Sequence, residues 1–491
     1  MSVKTLEMNM LNYIDGVWTA SQTGEVINSM NPANQSEIVG TIQRSSMEDL
    51  NAAIEAAKKA LSKWKKVSPV KRGEFLHKAA DLFEEKADEI AELATKEMGK
   101  AVKETKGEVL RGAAILRYYA QEGMRQMGEV LPSVNPDNML YTKRVPVGVV
   151  GVIAPWNFPI AIPIWKIAPA LIYGNTIIFK PAAETGLTGA KIAEVFEQAG
   201  LPAGVLNLVN GKGSVIGQGL VDHKDVNAIT FTGSNEVGKQ VASGAVVRGA
   251  KYQLEMGGKN PVIVLEDAAL DHAVELTVMG AMKQTGQRCT ATSRAYVHRL
   301  IYDEFKEKVL KKVQSLKIGN GLKEGTDMGP LASKAQMDTV LKYIEKGKEE
   351  GAVLLTGGNI PAGKAFTSGF YVEPTVFENV TRDMVIAREE IFGPVLCLIK
   401  VDSFEEAIEQ ANDTIYGLSA SLFTSDLSKA LTFVNEIDAG LIQINGETGG
   451  AEPQAPFGGM KASSSNSREQ GQAAKEFFTS IKTVTMTPVC K

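Results

Sequence analysis

The chain has 491 residues, too many for one ordinary domain, so two or three are expected. Hydrophobic residues make up 44% and charged residues 22%, with a net charge of −4. That is the balance of a soluble globular protein, and it lacks the basic face of a nucleic-acid-binding one. Three cysteines with no Cys-x-x-Cys pair cannot build a disulfide framework. The four histidines (His77, His223, His272, His298) are scattered, which argues against a His/Cys metal site, so no metal is expected.

Residues Met1 to Met10 are mixed polar and lack the apolar core of a signal peptide. The most hydrophobic stretch, Val147 to Ile178, is broken by Pro155, Asn157, Pro159, Pro163, Lys166 and Pro169. No apolar run reaches the ~20 residues that span a bilayer. A cytoplasmic protein without membrane or nucleic-acid partners is expected, working on small molecules or pairing with copies of itself.

Tyr13-Ile14-Asp15-Gly16-Val17-Trp18 predicts a hairpin, with Asp-Gly at the turn. Ser46 is placed as an N-cap ahead of a helix on which Leu50, Ile54, Ala57, Leu61 and Trp64 share a face. Val70 to Tyr119 reads as a longer helical region with a charged outer face. From Val147 the texture changes to short apolar or β-branched runs: Val147–Ile153, Thr176–Phe179, Val205–Val209, Ala228–Phe231 and Val262–Leu265. Helical stretches such as Thr188–Ala199 lie between some of them. The alternation predicts a parallel sheet covered on both faces, which binds ligands at the carboxyl ends of its strands.

A second α/β region is expected from about Ala268 to Phe457, with strands at Ala295–Val297, Val353–Thr356 and Val395–Ile399. Pro456–Ser467 reads as a Gly/Ser-rich surface loop. Lys482–Val489 alternates like an edge strand and, lying at a terminus, is expected to pair with another subunit.

The strand ends carry the candidate chemistry. After Val147–Ile153 come Pro155-Trp156-Asn157-Phe158-Pro159; Asn157 is either an amide donor for an oxyanion or a capping residue at the turn. Lys180 closes the next strand and could meet a ribose or phosphate, or simply be solvated. Thr232-Gly233-Ser234 would open a helix whose free N–H groups suit a phosphate. Gly211-Lys212-Gly213-Ser214-Val215-Ile216-Gly217 is a weak version of the dinucleotide fingerprint, one residue too long before its last glycine. Glu255, in Glu255-Met256-Gly257-Gly258-Lys259, and Cys289, in Gly286-Gln287-Arg288-Cys289, are placed in glycine-containing turns. A thiol and a carboxylate together can attack a carbonyl and then hydrolyse the product. Taken singly, Cys289 could equally be an inert buried thiol and Glu255 a surface acid.

Together with Glu390-Ile391-Phe392-Gly393-Pro394 and Pro456-Phe457-Gly458-Gly459, these segments resemble the NAD(P)-dependent aldehyde dehydrogenases over nearly the whole chain. Ser467-Arg468-Glu469-Gln470-Gly471 and Gly458-Gly459-Met460-Lys461 add a likeness to bacterial α-ketoglutarate semialdehyde (2,5-dioxovalerate) dehydrogenases. The resemblance implies an α/β fold with a Rossmann-type cofactor domain (1–126 and 147–257). It also implies an α/β catalytic domain (258–466) and a small β oligomerisation element (127–146 and 467–491) of a homodimer or homotetramer.

The resemblance further implies Cys289 as nucleophile, Asn157 and the Cys289 N–H as oxyanion donors, and Glu255 as the base that activates water. A glutamate at that place favours hydrolysis to the free acid over transfer to coenzyme A. Glu390 and Phe392 are implied at the nicotinamide ribose and ring. Lys180 and Ser234 are implied at the adenosine ribose and pyrophosphate, with Ile153, Pro155, Trp156, Ala183, Gly213, Gly233 and Gly257 as further cofactor contacts. NAD-preferring relatives often carry glutamate three positions after that lysine; Ala183 stands there, with Glu184 displaced by one, so use of both NAD and NADP is expected. Arg288 is either an anchor for a distal substrate carboxylate or a loop arginine paired to a structural acid. A broad-specificity aldehyde dehydrogenase and a catalytically inactive relative are the alternatives.

Overall fold

A computed structural model describes residues 8–465 and 467–489. The first seven residues of the polar N-terminal stretch, and Cys490, lie outside the described residues.

The hairpin forms at Asn12–Ile14 and Val17–Thr19. Asp15 (φ 50°) and Gly16 (φ 81°) are both left-handed, the turn whose twist matches paired strands. The helix after Ser46 runs Met47–Trp64, with Asp49 accepting from the Ser46 N–H at 2.8 Å. The single long helical region expected next is three helices, Pro69–Glu85, Ala87–Met98 and Val102–Glu122. Gly99, at φ 89°, ends the second of them, which is why the region cannot be continuous.

Two seven-stranded sheets follow. The first has the spatial order 251–255, 228–232, 149–153, 176–180, 206–208, 12–14, 17–19. Its first five strands are parallel, and the hairpin joins antiparallel at Leu208. Thr176–Lys180 and Ala228–Thr232 are buried throughout, as expected for strands covered by helices on both faces. The chain leaves 149–153 toward 176–180 on one side and returns to 228–232 on the other. The topological switch point therefore lies between the carboxyl ends at Ile153 and Thr232.

The second sheet has the order 353–356, 375–378, 395–401, 292–298, 260–264, 419–423, 441–444 and is parallel except for its first pair. Two expectations are corrected here. The Val262–Leu265 run, expected in the first sheet, is the Asn260–Val264 strand and sits inside the second. Glu255 is not in a turn: it is the last residue of the Lys251–Glu255 strand, paired with Thr232. Hydropathy cannot separate two parallel sheets whose strands are equally apolar, and the short 256–259 link hides the change of sheet.

A third, three-stranded sheet orders Thr479–Met486, Met139–Pro146 and Val130–Leu131. The C-terminal strand thus pairs along its eight residues with its own chain, from Thr479–Pro146 to Met486–Met139, and keeps one outer edge. No described helix is long and apolar enough to cross a membrane.

Candidate active site

The strand ends build one continuous cleft. At the switch point of the first sheet a cavity of about 670 Å³ is bounded by Ile153, Pro155, Trp156, Lys180, Ala183, Gly213, Gly233 and Ser234. Lys180 is 5% exposed and its Nζ donates to Pro181 O at 2.8 Å. Burial brings its pKa down to about 8, against the pull of Glu184. Ser234 caps the Asn235–Val247 helix, its hydroxyl accepting from Val237 N. The glycine-rich 211–217 stretch is a short π-helical turn rather than a strand-to-helix fingerprint, yet Gly213 and Gly217 both line the cavity.

Pro155, Trp156, Gly233 and Ser234 also border a second cavity of about 290 Å³ that holds Asn157, Gly257, Cys289, Glu390 and Phe392. Cys289 keeps part of its surface open to this cleft, so the thiol is not sealed in hydrocarbon. It lies ahead of the Thr292–His298 strand, at the amino ends of the second sheet. The cleft therefore joins carboxyl ends of one sheet to amino ends of the other.

The thiol loop is held from several sides. Gln284 (φ 54°) and Thr285 (φ 59°) are both left-handed, a strained state for a β-branched residue. Glu104 Oε1 accepts from Gln284 N (3.2 Å) and Thr285 Oγ1 donates to Gly329 O (2.9 Å), fixing the bend. Gly286 has φ 68°, and a Cβ there would lie 2.1 Å from Gly393 O, so only glycine fits. Asn260 Nδ2 donates to Cys289 O (2.8 Å) and Ala291 O (2.9 Å), while its Oδ1 accepts from Ser419 N (3.1 Å).

Asn157 is 4% exposed and its Nδ2 donates to Gln287 O at 3.1 Å, which brings the amide against the thiol loop. Behind it lies a buried ion pair, Lys100–Glu108. Lys100 Nζ donates to Asn157 O (3.1 Å), and Glu108 Oε1 accepts from Ile160 N and Ala161 N at 2.8 and 2.9 Å. Lys100, Glu104, Glu108 and Asn260 belong to the machinery around the site, yet none was legible in the sequence.

Burial, with Glu390 and then Glu255 adding to it, pushes the Cys289 thiol up to about 12, partly offset by Arg288 and the Thr290 N–H. Glu255 is 2% exposed; Ser464 Oγ donates to its Oε2 at 2.5 Å and its Oε1 has no partner. Burial first, and the neighbouring Glu469 second, hold its pKa well above the usual carboxylate range. The thiol is therefore protonated at neutral pH. The Pro456–Ser467 segment, expected as a surface loop, instead buries Phe457 and Ser463 and turns Ser464 onto Glu255.

Glu390 Oε1 accepts from Gly258 N at 3.0 Å, and a Cβ on Gly257 would come within 2.3 Å of Glu390 Oε2. The paired glycines thus make room for that carboxylate, which burial raises to about 7. Trp156 and Phe392 meet edge to face, their centroids 5.4 Å apart. Arg288 turns away from the cleft. Its Nη2 donates to Gly280 O (2.6 Å) and Met279 O (3.4 Å) and lies 3.7 Å from Glu447 Oε2.

The profile described as the aldehyde dehydrogenase family matches residues 18–484. The chain belongs to the aldehyde dehydrogenase family. It is 58% identical over 488 residues to the α-ketoglutaric semialdehyde dehydrogenase of Bacillus subtilis (strain 168), covering 99% of this chain and 100% of that one. It is 43% identical over 474 residues to the α-ketoglutarate semialdehyde dehydrogenase of Haloferax volcanii, covering 96% and 98%. Among solved structures, betaine aldehyde dehydrogenase from Staphylococcus aureus in complex with NAD+ superposes with a TM-score of 0.95 at 35% identity, covering 97% and 94%. The chain is accordingly an aldehyde dehydrogenase with that family's α/β fold.

Proposed function

We propose that this aldehyde dehydrogenase oxidises α-ketoglutarate semialdehyde (2,5-dioxovalerate) to the dicarboxylic acid. The observation that carries the substrate is near-full-length identity of 58% to a relative bearing that name.

Cys289 Sγ loses its proton to solvent in the cleft and adds to the aldehyde carbon, and the oxyanion so formed accepts from the Cys289 N–H and the Asn157 amide. One hydrogen of that amide is held by Gln287 O and the other is available. When bound, NAD or NADP supplies the acceptor for the hydride that leaves this carbon, and Cys289 is left as a thioester. Glu255, in its ionised form and released from Ser464, takes a proton from water, and the hydroxide so formed adds to the thioester carbon, breaking the C–S bond to release the acid and return Cys289 as its thiolate.

The larger cavity supports a dinucleotide. Lys180 lies buried at its wall within reach of the Glu184 charge, Ser234 opens a helix beside it, and Ala183 rather than a glutamate stands three positions after Lys180. Ile153, Pro155, Trp156, Gly213 and Gly233 form its close walls, while Gly257, Glu390 and Phe392 stand at the thiol end. Cofactor use is assigned to both NAD and NADP. The proposal also divides the chain into a cofactor domain (1–126 and 147–257), a catalytic domain (258–466) and an oligomerisation element (127–146 and 467–491). It takes the active form as a cytoplasmic homodimer or homotetramer.

The test is the near-ultraviolet absorbance of reduced nicotinamide with each cofactor and an aldehyde panel. A rise that favours 2,5-dioxovalerate and vanishes in Cys289→Ala is expected. Equal turnover of simple aliphatic aldehydes would turn the assignment to a broad-specificity enzyme, and no rise with any aldehyde to an inactive relative.

A further inference from the structure

A substrate with a carboxylate needs a cation near the thiol, and most cations there are engaged. Arg288 is spent on the Met279 and Gly280 carbonyls, Lys166 on Glu469 and Thr230, and Lys100 on Glu108. Arg111 is different. Its guanidinium makes no hydrogen bond or ion pair among the described residues, and its Nε is buried without a partner.

Glu104, Glu108 and Arg111 recur at steps of four and three along the Val102–Glu122 helix and so share one stripe. Glu104 on that stripe reaches the thiol loop at Gln284, and Glu108 reaches Ile160 and Ala161 just past Asn157. Arg111 stands three positions, ~4.5 Å, further along the same stripe. Its neighbour Gly112 lies against Ile160 and Ile164 of the Ala161–Ile172 segment. Next to Ile164 comes Trp165, whose indole Nε1 is likewise buried with no partner and whose ring lies 5.2 Å from that of Phe457. Val109, Ile160, Trp165 and Phe457 belong to the apolar cluster against which Cys289 packs. Two unpaired donors, one of them cationic, thus stand at or beside the apolar cluster on which the thiol packs. Arg111 is partly buried, which lowers its pKa against the pull of Glu108, and an incoming anion would offset that desolvation cost.

We propose that Arg111 selects the substrate, its guanidinium taking the distal carboxylate in a two-pronged hydrogen bond while Trp165 Nε1 donates to the adjacent 2-oxo group. This rests on the substrate proposed above. In 2,5-dioxovalerate the carboxyl carbon lies four C–C bonds from the aldehyde carbon, about 5 Å when extended. The paired N–H groups of arginine match a carboxylate's two oxygens.

The test compares kcat/KM for 2,5-dioxovalerate, 5-oxopentanoate (no 2-oxo group), 4-oxobutanoate and pentanal (no charge). Arg111→Met is expected to lower the value for 2,5-dioxovalerate by about 10- to 100-fold, mostly through KM, and that for pentanal by less than about threefold. Pentanal turnover thus doubles as the check on folding. Arg111→Lys is expected to recover part of the loss. Trp165→Phe should cut the preference for 2,5-dioxovalerate over 5-oxopentanoate by about three- to tenfold. Equal losses on pentanal and the charged aldehydes, or no loss on either, overturn the role of Arg111. Should wild type prefer 4-oxobutanoate, the substrate proposed above is wrong; the anchor stands if Arg111→Met removes that preference and falls if it does not. A wild type favouring no carboxylated aldehyde over pentanal overturns both.

Discussion

Asn260 offers the sharpest test of how the thiol is held. Its amide ties together the amino ends of three strands of the second sheet, donating to Cys289 O and Ala291 O and accepting from Ser419 N, and it is 1% exposed. Asn260→Ala strips partners from three buried backbone groups. Each such group costs about 1–3 kcal/mol when left unsatisfied. A water entering the vacated space recovers part of this, so a stability loss of about 3–5 kcal/mol is expected. The catalytic effect is separate, because Cys289 O then has nothing to fix its peptide. A displacement of ~1 Å at the nucleophile costs about a hundredfold in rate. The expected result is kcat down about a hundredfold, or ~2.7 kcal/mol, with KM for aldehyde changed less than about threefold. Asn260→Asp should be worse, since it faces two carbonyl oxygens with a third oxygen. Steady-state kinetics, iodoacetamide labelling of Cys289 and urea unfolding read the three effects apart. A folded Asn260→Ala protein with kcat within threefold of wild type would refute the claim that this amide positions the thiol.

Lys100→Met removes one partner of a buried pair and leaves Glu108 charged among apolar groups, a change that typically costs about 3–5 kcal/mol. Adding Glu108→Gln, which can still accept from Ile160 N and Ala161 N, should restore part of the stability, and the midpoint of urea unfolding checks this. Cys289 alkylation should accelerate about tenfold per pH unit between pH 7 and 9, because burial pushes the thiol up to about 12 and only the thiolate reacts. A plateau below pH 8 would contradict the raised pKa. Arg288→Gln removes a cation that favours the thiolate and should slow alkylation at every pH in that range, whatever the aldehyde. Ala183→Glu should lower kcat/KM with NADP by at least about tenfold and change that with NAD less than about threefold, measured with both cofactors at fixed aldehyde.

What the sequence by itself determined is local. The Asp15-Gly16 turn, the helix after Ser46, the strands at Thr176, Ala228, Val353 and Val395, and the clustering of Asn157, Lys180 and Ser234 at strand ends all follow from neighbouring residues, whose turn chemistry and side-chain period act within a few positions. Family motifs added Cys289, Glu255, Glu390 and Phe392. Tertiary structure decided what depends on distant partners. Asn260 meets the carbonyl of Cys289 across 29 positions, Lys100 meets that of Asn157 across 57, and Lys166 meets Thr230 across 64. No local periodicity records such contacts. The same holds for charge. The Glu255 carboxyl is raised well above its usual range because burial and Glu469 disfavour its ion, and among the described residues Arg111, not Arg288, is left without a hydrogen bond because helix carbonyls already occupy the latter. Desolvation and pairing are properties of the folded surroundings, so the chain order alone could not carry them.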